Sequence, residues 1–409
     1  MPIESKLGEA ILERIRSRKV DPLDSGAVDT SSRIVNAATS ATVREATFED
    51  FGAVSALNSR LGQGPDSVEN WCRLWRDNPA ITQGGATSRI GWVLEDAGAV
   101  VGFFGTIPLL YQFAQKPLIA AATCRFAVEP AYRAFSPLLL TSFFRQKDVD
   151  LFINSTATPS AGQMMRALKA VELPQPNYGT VLFWVLDCRA FARETLRKLG
   201  SNSMLSRMGS FPVSVVLEGE GFLRGRGPRN RKGSLSTKQM SIREMGPEFS
   251  QLWSEKNEQS RGLIATRSLE IMRWHFEPPH NRRTATVVGC YTHERLLGYA
   301  IVRHSEPATT GLRRSVIADM ILRDESQQIV DALLHASFHC AKTSGSHALE
   351  VLGFPPRIRQ MFLQSNPYTR NYPACPFFYK ARNRELQSAL SDANLWYATP
   401  FDGDSTVWP

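Results

Sequence analysis

Two stretches of this chain carry the same local signals in the same order, one starting near residue 43 and the other near residue 240. Each opens with a short strand and a helix, VREATFEDFGAVSALN at 43–58 and MSIREMGPEFSQLWSEKN at 240–257. Each then has a serine placed to cap a helix, in Ser67-Val68-Glu69 and Ser268-Leu269-Glu270, running on into tryptophan (Trp71 and Trp75; Trp274). A proline break follows, at Asn78-Pro79 and at Pro278-Pro279. Two strands joined by a short polar turn then end in an apolar-glycine-aromatic step, GWVLEDAGAVVGFFG and VVGCYTHERLLGYAI, with Gly102 and Gly298 in matching places. A shared order of this length predicts a duplicated unit.

The pattern continues in both copies as long strand, helix, strand, helix. In the first these fall at about 119–129, 136–146, 150–157 and 160–171; in the second at about 314–323, 325–342, 347–353 and 355–364. Strands alternating with helices predict a mixed α/β fold, each copy a twisted mixed sheet flanked by helices. The expected division is an amphipathic helix (Glu4 to Arg18) and polar tether over 1–41, a first domain at 42–220, a basic linker at 221–239 and a second domain at 240–409. The aromatic run Asn371 to Tyr379 reads as a strand and turn closing the second sheet.

A chain of 409 residues suits two such domains, and no apolar run is long enough for a membrane span. The N-terminus has charges where a signal peptide needs its apolar region, and the six cysteines are scattered without a CxxC pair, so a reducing cytoplasm is expected. The net charge of +9 favours anionic partners: coenzyme A phosphates, a nucleotide sugar, an acidic carrier protein or RNA. Much of the excess lies in Arg224 to Lys232, which reads as a solvated linker or as a contact for a polyanion.

Several chemistries find no support. His335 and His339 are four apart on a predicted helix with Cys340 beside them, but Ala336 stands where a zinc-protease motif needs glutamate. No metal is expected. There is no G-x-S-x-G elbow, and Gly221, Gly225 and Gly227 are not set in a strand-turn-helix pattern.

The residues that carry a resemblance are Val128-Glu129-Pro130-Ala131-Tyr132-Arg133, followed by Ala134-Phe135-Ser136-Pro137-Leu138. With the element order around them they resemble the GNAT superfamily of acyltransferases, whose fourth strand ends in a similar V-x-P-x-Y-R before a glycine-rich turn that opens a helix. A helix N-terminus with free N–H groups suits the pyrophosphate of coenzyme A. The resemblance assigns that contact to Val128, Arg133, Ala134, Phe135, Ser136 and Leu138. Ser136 replaces the family's first glycine and Leu138 its last small residue, which leaves coenzyme A or a carrier-bound thioester open as donor. A plain strand-end turn is the bland alternative. The second copy has Arg323-Asp324-Glu325-Ser326 at that place, with acids that oppose an anion.

What the resemblance implies is attack of an amine on a thioester, with Glu129, Asn154, Ser155 and Thr156 near the reacting carbonyl and Tyr178 as a phenol able to protonate the thiol. Each has a structural alternative: a solvated strand end, a turn, a packing residue. The implied activity is transfer of an acyl group from acetyl-CoA, a longer acyl-CoA or an acyl-carrier protein to an amine of a small molecule or sugar. Aminoacyl transfer from charged tRNA and a non-catalytic binding protein are the alternatives, nucleic acid being the less favoured partner. The tail Trp396 to Asp404 resembles the ending of tandem GNAT-like proteins from bacterial polysaccharide and aminoacyl modification systems, and equally reads as an exposed turn.

Overall fold

The computed structural model describes residues 41–198, 203–227, 235–277, 285–305, 311–371 and 376–407. The expected helix at Glu4 to Arg18, the Pro278-Pro279 break and the basic segment beyond Gly227 lie outside these residues.

Strand β1 (Thr42–Glu45) leads into helices α1 (Phe51–Arg60) and α2 (Val68–Trp75), the latter capped by Ser67, whose Oγ accepts from Asn70 N at 3.1 Å. A short helix α3 (Pro79–Thr82) is capped by Asn78 in the same way. Strands β2 (Gly91–Asp96) and β3 (Ala99–Phe113) turn through Ala97 and Gly98, both at positive φ, as a tight hairpin requires. Then come β4 (Lys116–Val128), α4 (Ser136–Phe144), β5 (Leu151–Asn154), α5 (Pro159–Ala167), β6 (Val171–Glu172), β7 (Thr180–Val185), α6 (Cys188–Lys198) and α7 (Ser203–Leu223).

The second half repeats the plan with β8 (Leu235–Met240), α8 (Pro247–Gln259), β9 (Leu263–Ala265) and α9 (Leu269–Phe276), which Ser268 caps as Ser67 caps α2. It continues through β10 (Ala285–Thr292), β11 (Arg295–Ser305), β12 (Arg314–Leu322), α10 (Gln327–Thr343), β13 (Ala348–Val351) and α11 (Pro356–Leu363). The last elements are β14 (Tyr368–Asn371), β15 (Phe378–Ala381), α12 (Arg384–Ala389) and β16 (Trp396–Tyr397).

The two copies match down to their irregularities. In the β2–β3 hairpin Val101 is an extra residue between the pairs Leu94–Gly102 and Glu95–Val100; in β10–β11 Leu297 is extra between Cys290–Gly298 and Tyr291–Leu296. The freed carbonyls accept from corresponding positions, Val101 O from Glu129 N at 2.9 Å and Leu297 O from Arg323 N at 2.8 Å. Gly102 and Gly298 have no room for a side chain, since a Cβ would stand 3.0 Å from Leu94 Cβ in one and 2.9 Å from the Ile321 carbonyl in the other. A second bulge recurs one strand on, at Arg125 in β4 and at Ala318 in β12.

Two mixed sheets result. The first runs β1-β2-β3-β4-β5-β15-β6, with β9 against the far end of β3 and β16 beside β9; the second runs β14-β7-β13-β12-β11-β10-β8. Sheet membership crosses the 221–239 segment in both directions: β7 of the first half lies between β13 and β14, and β15 of the second half lies between β5 and β6. The expected strand at 371–379 is corrected accordingly. Only its first residue, Asn371, ends a strand of the second sheet, whereas Phe378 and Tyr379 pair with Asn154 and Ile153 in the first. Phe378 is fully buried there, in an apolar cluster with Phe104, Phe143 and Phe152, which gives the exchange its driving force. A larger core joins both halves, with Trp75 and Phe103 in one cluster with Leu252, Tyr299 and Phe401.

Candidate active site

Strands β4 and β5 are parallel neighbours only over Ala120–Ala122 and Leu151–Ile153. Beyond that, β4 continues to Val128 while β5 ends at Asn154, so the sheet opens into a wedge between Cys124 and Ser155. The bulge residue Arg125 stands at the mouth with φ +47, a left-handed conformation that costs a non-glycine residue about 1–3 kcal/mol. Its guanidinium holds that geometry by donating to the Gln63 carbonyl and, at 2.8 Å, to Asp66.

After Val128 the chain makes a 3₁₀ turn over Pro130–Phe135 and enters α4. Arg133 and Ala134 are exposed, Phe135 is half-buried, Ser136 is buried and Leu138 is 50% exposed. The Arg133 side chain has no hydrogen-bond partner among the described residues, so a cation stands free beside the helix start. Pro137 lies in the first turn and contributes no N–H there.

Glu129 is held by Arg60 at 2.7 Å. Asn154 is buried and its Oδ1 accepts from Thr156 N at 3.2 Å. Tyr178 packs on Phe377 and its hydroxyl donates to the Thr399 carbonyl at 3.3 Å, with burial raising its pKa. Of the five residues expected around the carbonyl, the structure gathers Asn154, Ser155 and Thr156 at the wedge; Glu129 and Tyr178 are engaged elsewhere.

Asp404, which the sequence offered only as part of a tail or an exposed turn, lies buried at the wedge. Ser155 Oγ donates to its Oδ1 at 2.9 Å, Thr156 Oγ1 bonds both carboxylate oxygens at 3.0 Å, and Asp404 N donates back to Ser155 Oγ at 3.2 Å. The approach is close because the neighbour is Gly403, at φ +84, where any Cβ would collide with Ser155. Burial pushes the Asp404 carboxyl up to about 6, against the opposing pull of the Ser155 and Thr156 hydroxyls. The same tail places Asp402 against Tyr111 at 2.9 Å and the Thr399 amide at 2.8 Å, and burial likewise raises it to about 6.

The second half has a matching wedge between β12 and β13, and the tail occupies it. Phe401 N donates to the bulge carbonyl of Ala318 at 3.0 Å, and Phe354 N to Ala398 O at 3.1 Å. Asp319, next to that bulge, is closed in a buried bidentate pair with Arg267 at 2.9 Å. Asp324 and Glu325 precede α10, where an anion would have to sit. Among the described residues no group of three or more His, Cys, Asp or Glu lies close enough to hold a metal ion.

No protein-family model matches the chain, and no curated protein matches it. Solved structures do. A GCN5-related N-acetyltransferase from Anabaena variabilis ATCC 29413 aligns at TM-score 0.52 and 11% identity, over 84% of this chain and 73% of that one. A probable N-acyltransferase from Enterococcus faecalis V583 aligns at TM-score 0.53 and 10% identity over the same shares. Saccharomyces cerevisiae N-myristoyltransferase with bound myristoyl-CoA aligns at TM-score 0.50 and 10% identity, over 94% of this chain and 89% of that one. The fold is GNAT-like.

Proposed function

We propose that the chain is an N-acyltransferase with one donor site, at the β4–β5 wedge of the first sheet, and that Asp404 takes the proton of the attacking amine. The observation that carries this reading is a buried carboxylate with a raised pKa, bonded by two hydroxyls at the wedge that the GNAT-like fold opens. A base near neutrality is what acyl transfer to an amine needs, because the amine is otherwise protonated or must discard a proton on attack. The second wedge, filled by the tail and fronted by acids, supports a structural or acceptor-side role for the other half.

In this reading the phosphates of an acyl-CoA lie on the start of α4, within reach of free Arg133 and of the backbone around Val128, Ala134, Phe135 and Ser136. Leu138 and Pro137 narrow that cradle relative to a glycine-rich turn, which keeps an acyl-carrier protein in play as donor. The amine nitrogen bonds to the thioester carbon, the carbon–sulfur bond breaks, the nitrogen's proton passes to Asp404, and the thiolate leaves and takes a proton from water while Asp404 gives its own back to solvent. Asn154 and Ser155 hold the carbonyl and the carboxylate in register. The acceptor is an amine of a small molecule or sugar.

Thermal unfolding with acetyl-CoA, a long-chain acyl-CoA and free coenzyme A tests the donor site. A ligand at a hundred times its Kd adds about 2.7 kcal/mol to folded-state stability, which raises the midpoint by a few degrees. The expected result is a shift with at least one thioester that Arg133→Ala removes. No shift with any of them at millimolar concentration would eliminate coenzyme A as donor.

A further inference from the structure

We propose that the open hollow between α6, α7 and the starting ends of β12 and β13 binds a small molecule through a dianionic phosphate group. It lies at the end of the second sheet opposite that sheet's wedge, because β12 and β13 pair from Arg314–Ala348 and part after Ile317–Val351. The hollow measures about 500 Å³ and adjoins another of about 460 Å³, with Asp187 and Arg313 lining both. That is room for a ligand of sugar-phosphate size. Backbone bonds between the strand ends fix its walls: His347 N donates to the Arg313 carbonyl at 2.8 Å and Leu186 N to the His347 carbonyl at 2.9 Å. Gly345, at φ +75, lets the Arg313 guanidinium lie close, since a Cβ there would stand 3.0 Å from its Nη1.

Charge is the first guide to the ligand. Arg189 and Arg193 come from the first two turns of α6, Arg313 from the residue before β12 and Lys342 from the end of α10; the acids are Asp187 and Glu218, so four cations face two carboxylates. Arg189 and Lys342 are exposed and have no ion-pair partner among the described residues. Asp187 is engaged in capping α6, its Oδ1 accepting from Ala190 N at 2.8 Å. Arg193 Nε donates to Glu194 at 3.0 Å, but Arg197 shares that carboxylate at 3.2 Å. His347, 4% exposed in the wall of the hollow, is the second guide. Its Nε2 accepts from Arg313 Nε and Nη2, each at 3.5 Å, which puts the ring hydrogen on Nδ1. Burial and the neighbouring Arg313 lower its pKa and so hold this neutral form. Nδ1 has no hydrogen-bond partner among the described residues, and a buried donor without an acceptor is rare. An oxygen-rich anion supplies the acceptor and the countercharge together, and the planar Arg313 guanidinium suits phosphate oxygens in pairs. A phosphate ester and the free ion share this chemistry. The site does not depend on the acyl-transfer reading.

The test is isothermal titration calorimetry of the full chain in low-salt buffer, with inorganic phosphate, glucose 6-phosphate, glucose and citrate as titrants. The expected result is binding of a phosphate group at a Kd of roughly millimolar or tighter, weakened by added salt, and none of glucose. Glucose 6-phosphate binding at least about tenfold tighter than inorganic phosphate identifies an ester as the ligand, and equal affinities identify the free ion. Arg313→Gln and Arg189→Gln should each weaken binding about tenfold while keeping the parent's circular dichroism and melting temperature, because both side chains are exposed. Arg133→Ala should bind as the parent does. No binding of either phosphate, or binding unaltered in both glutamine variants, overturns the proposal. So does binding that Arg133→Ala removes, which puts the phosphate at the start of α4. Citrate binding more tightly than both phosphates also overturns it, since that gives the hollow to a polycarboxylate.

Discussion

At the scale of single residues, Asp404 shows how a catalytic demand is set against stability. Its pKa is about 6 in the folded chain, against about 3.9 for a free aspartate, so between those values the native state binds more protons than the unfolded one. Stability from this group therefore falls as pH rises from 4 towards 6 and stays low above, a cost of roughly 3 kcal/mol at neutrality. Asp404→Asn should unfold at higher urea concentration than the parent at pH 7, with the difference vanishing near pH 4. The same variant should lose a factor of about 10² to 10⁴ in kcat with little change in KM, and lose a limb of the pH profile near 6. Unchanged kcat would remove Asp404 from the mechanism. Gly91 is a simpler case: at φ +143 its missing Cβ would lie against the Phe104 carbonyl. Gly91→Ala should cost at least about 2 kcal/mol, read as a lowered melting temperature.

At the scale of elements, the C-terminal tail does work that its composition conceals. Residues 396–407 have almost no regular structure, yet Phe401 is 4% and Val407 1% exposed. Arg73 donates to the Val407 carbonyl at 2.6 Å and to the Trp274 carbonyl at 2.9 Å, and His275 bonds Thr406 at 2.6 Å. These contacts replace the sheet ladder that an irregular buried segment lacks. Phe401→Ala leaves a cavity beside His275 and Phe276 and should destabilise by about 3–5 kcal/mol in denaturant titrations. Removing everything after Leu395 should leave an insoluble chain. A truncated protein that melts like the parent would show the tail to be dispensable.

At the scale of the whole molecule, the exchange of β7 and β15 makes each sheet depend on both halves of the chain. The expected behaviour is one unfolding transition, observed alike by tryptophan fluorescence and far-ultraviolet circular dichroism. Residues 42–220 expressed alone would lack β15, and residues 240–409 alone would lack β7. Neither fragment should fold by itself, and co-expression should recover a complex. An independently folded 42–220 fragment with dispersed amide resonances would contradict this.

The sequence by itself determined what is local. Ser67 and Ser268 could be read as caps, Gly102 and Gly298 as a matched pair and the strand–helix order as a GNAT-like plan, because capping, crowding and periodicity act within a few residues. The stretch from Val128 into α4 was legible for the same reason. The tail through Asp402 and Asp404 read either as a tandem-GNAT-like ending or as an exposed turn, since the polar string Asp-Gly-Asp-Ser-Thr carries no sign of burial. The tertiary structure decided it by folding the tail back on the core, where Asp402 bonds Tyr111 and Asp404 bonds Ser155 and Thr156. It also decided strand partnership: Thr180–Val185 and Phe378–Ala381 are recognisable strands, but pairing energy depends on side chains hundreds of residues away. Burial raised the pKa of Asp404, and burial is a property of the assembled fold.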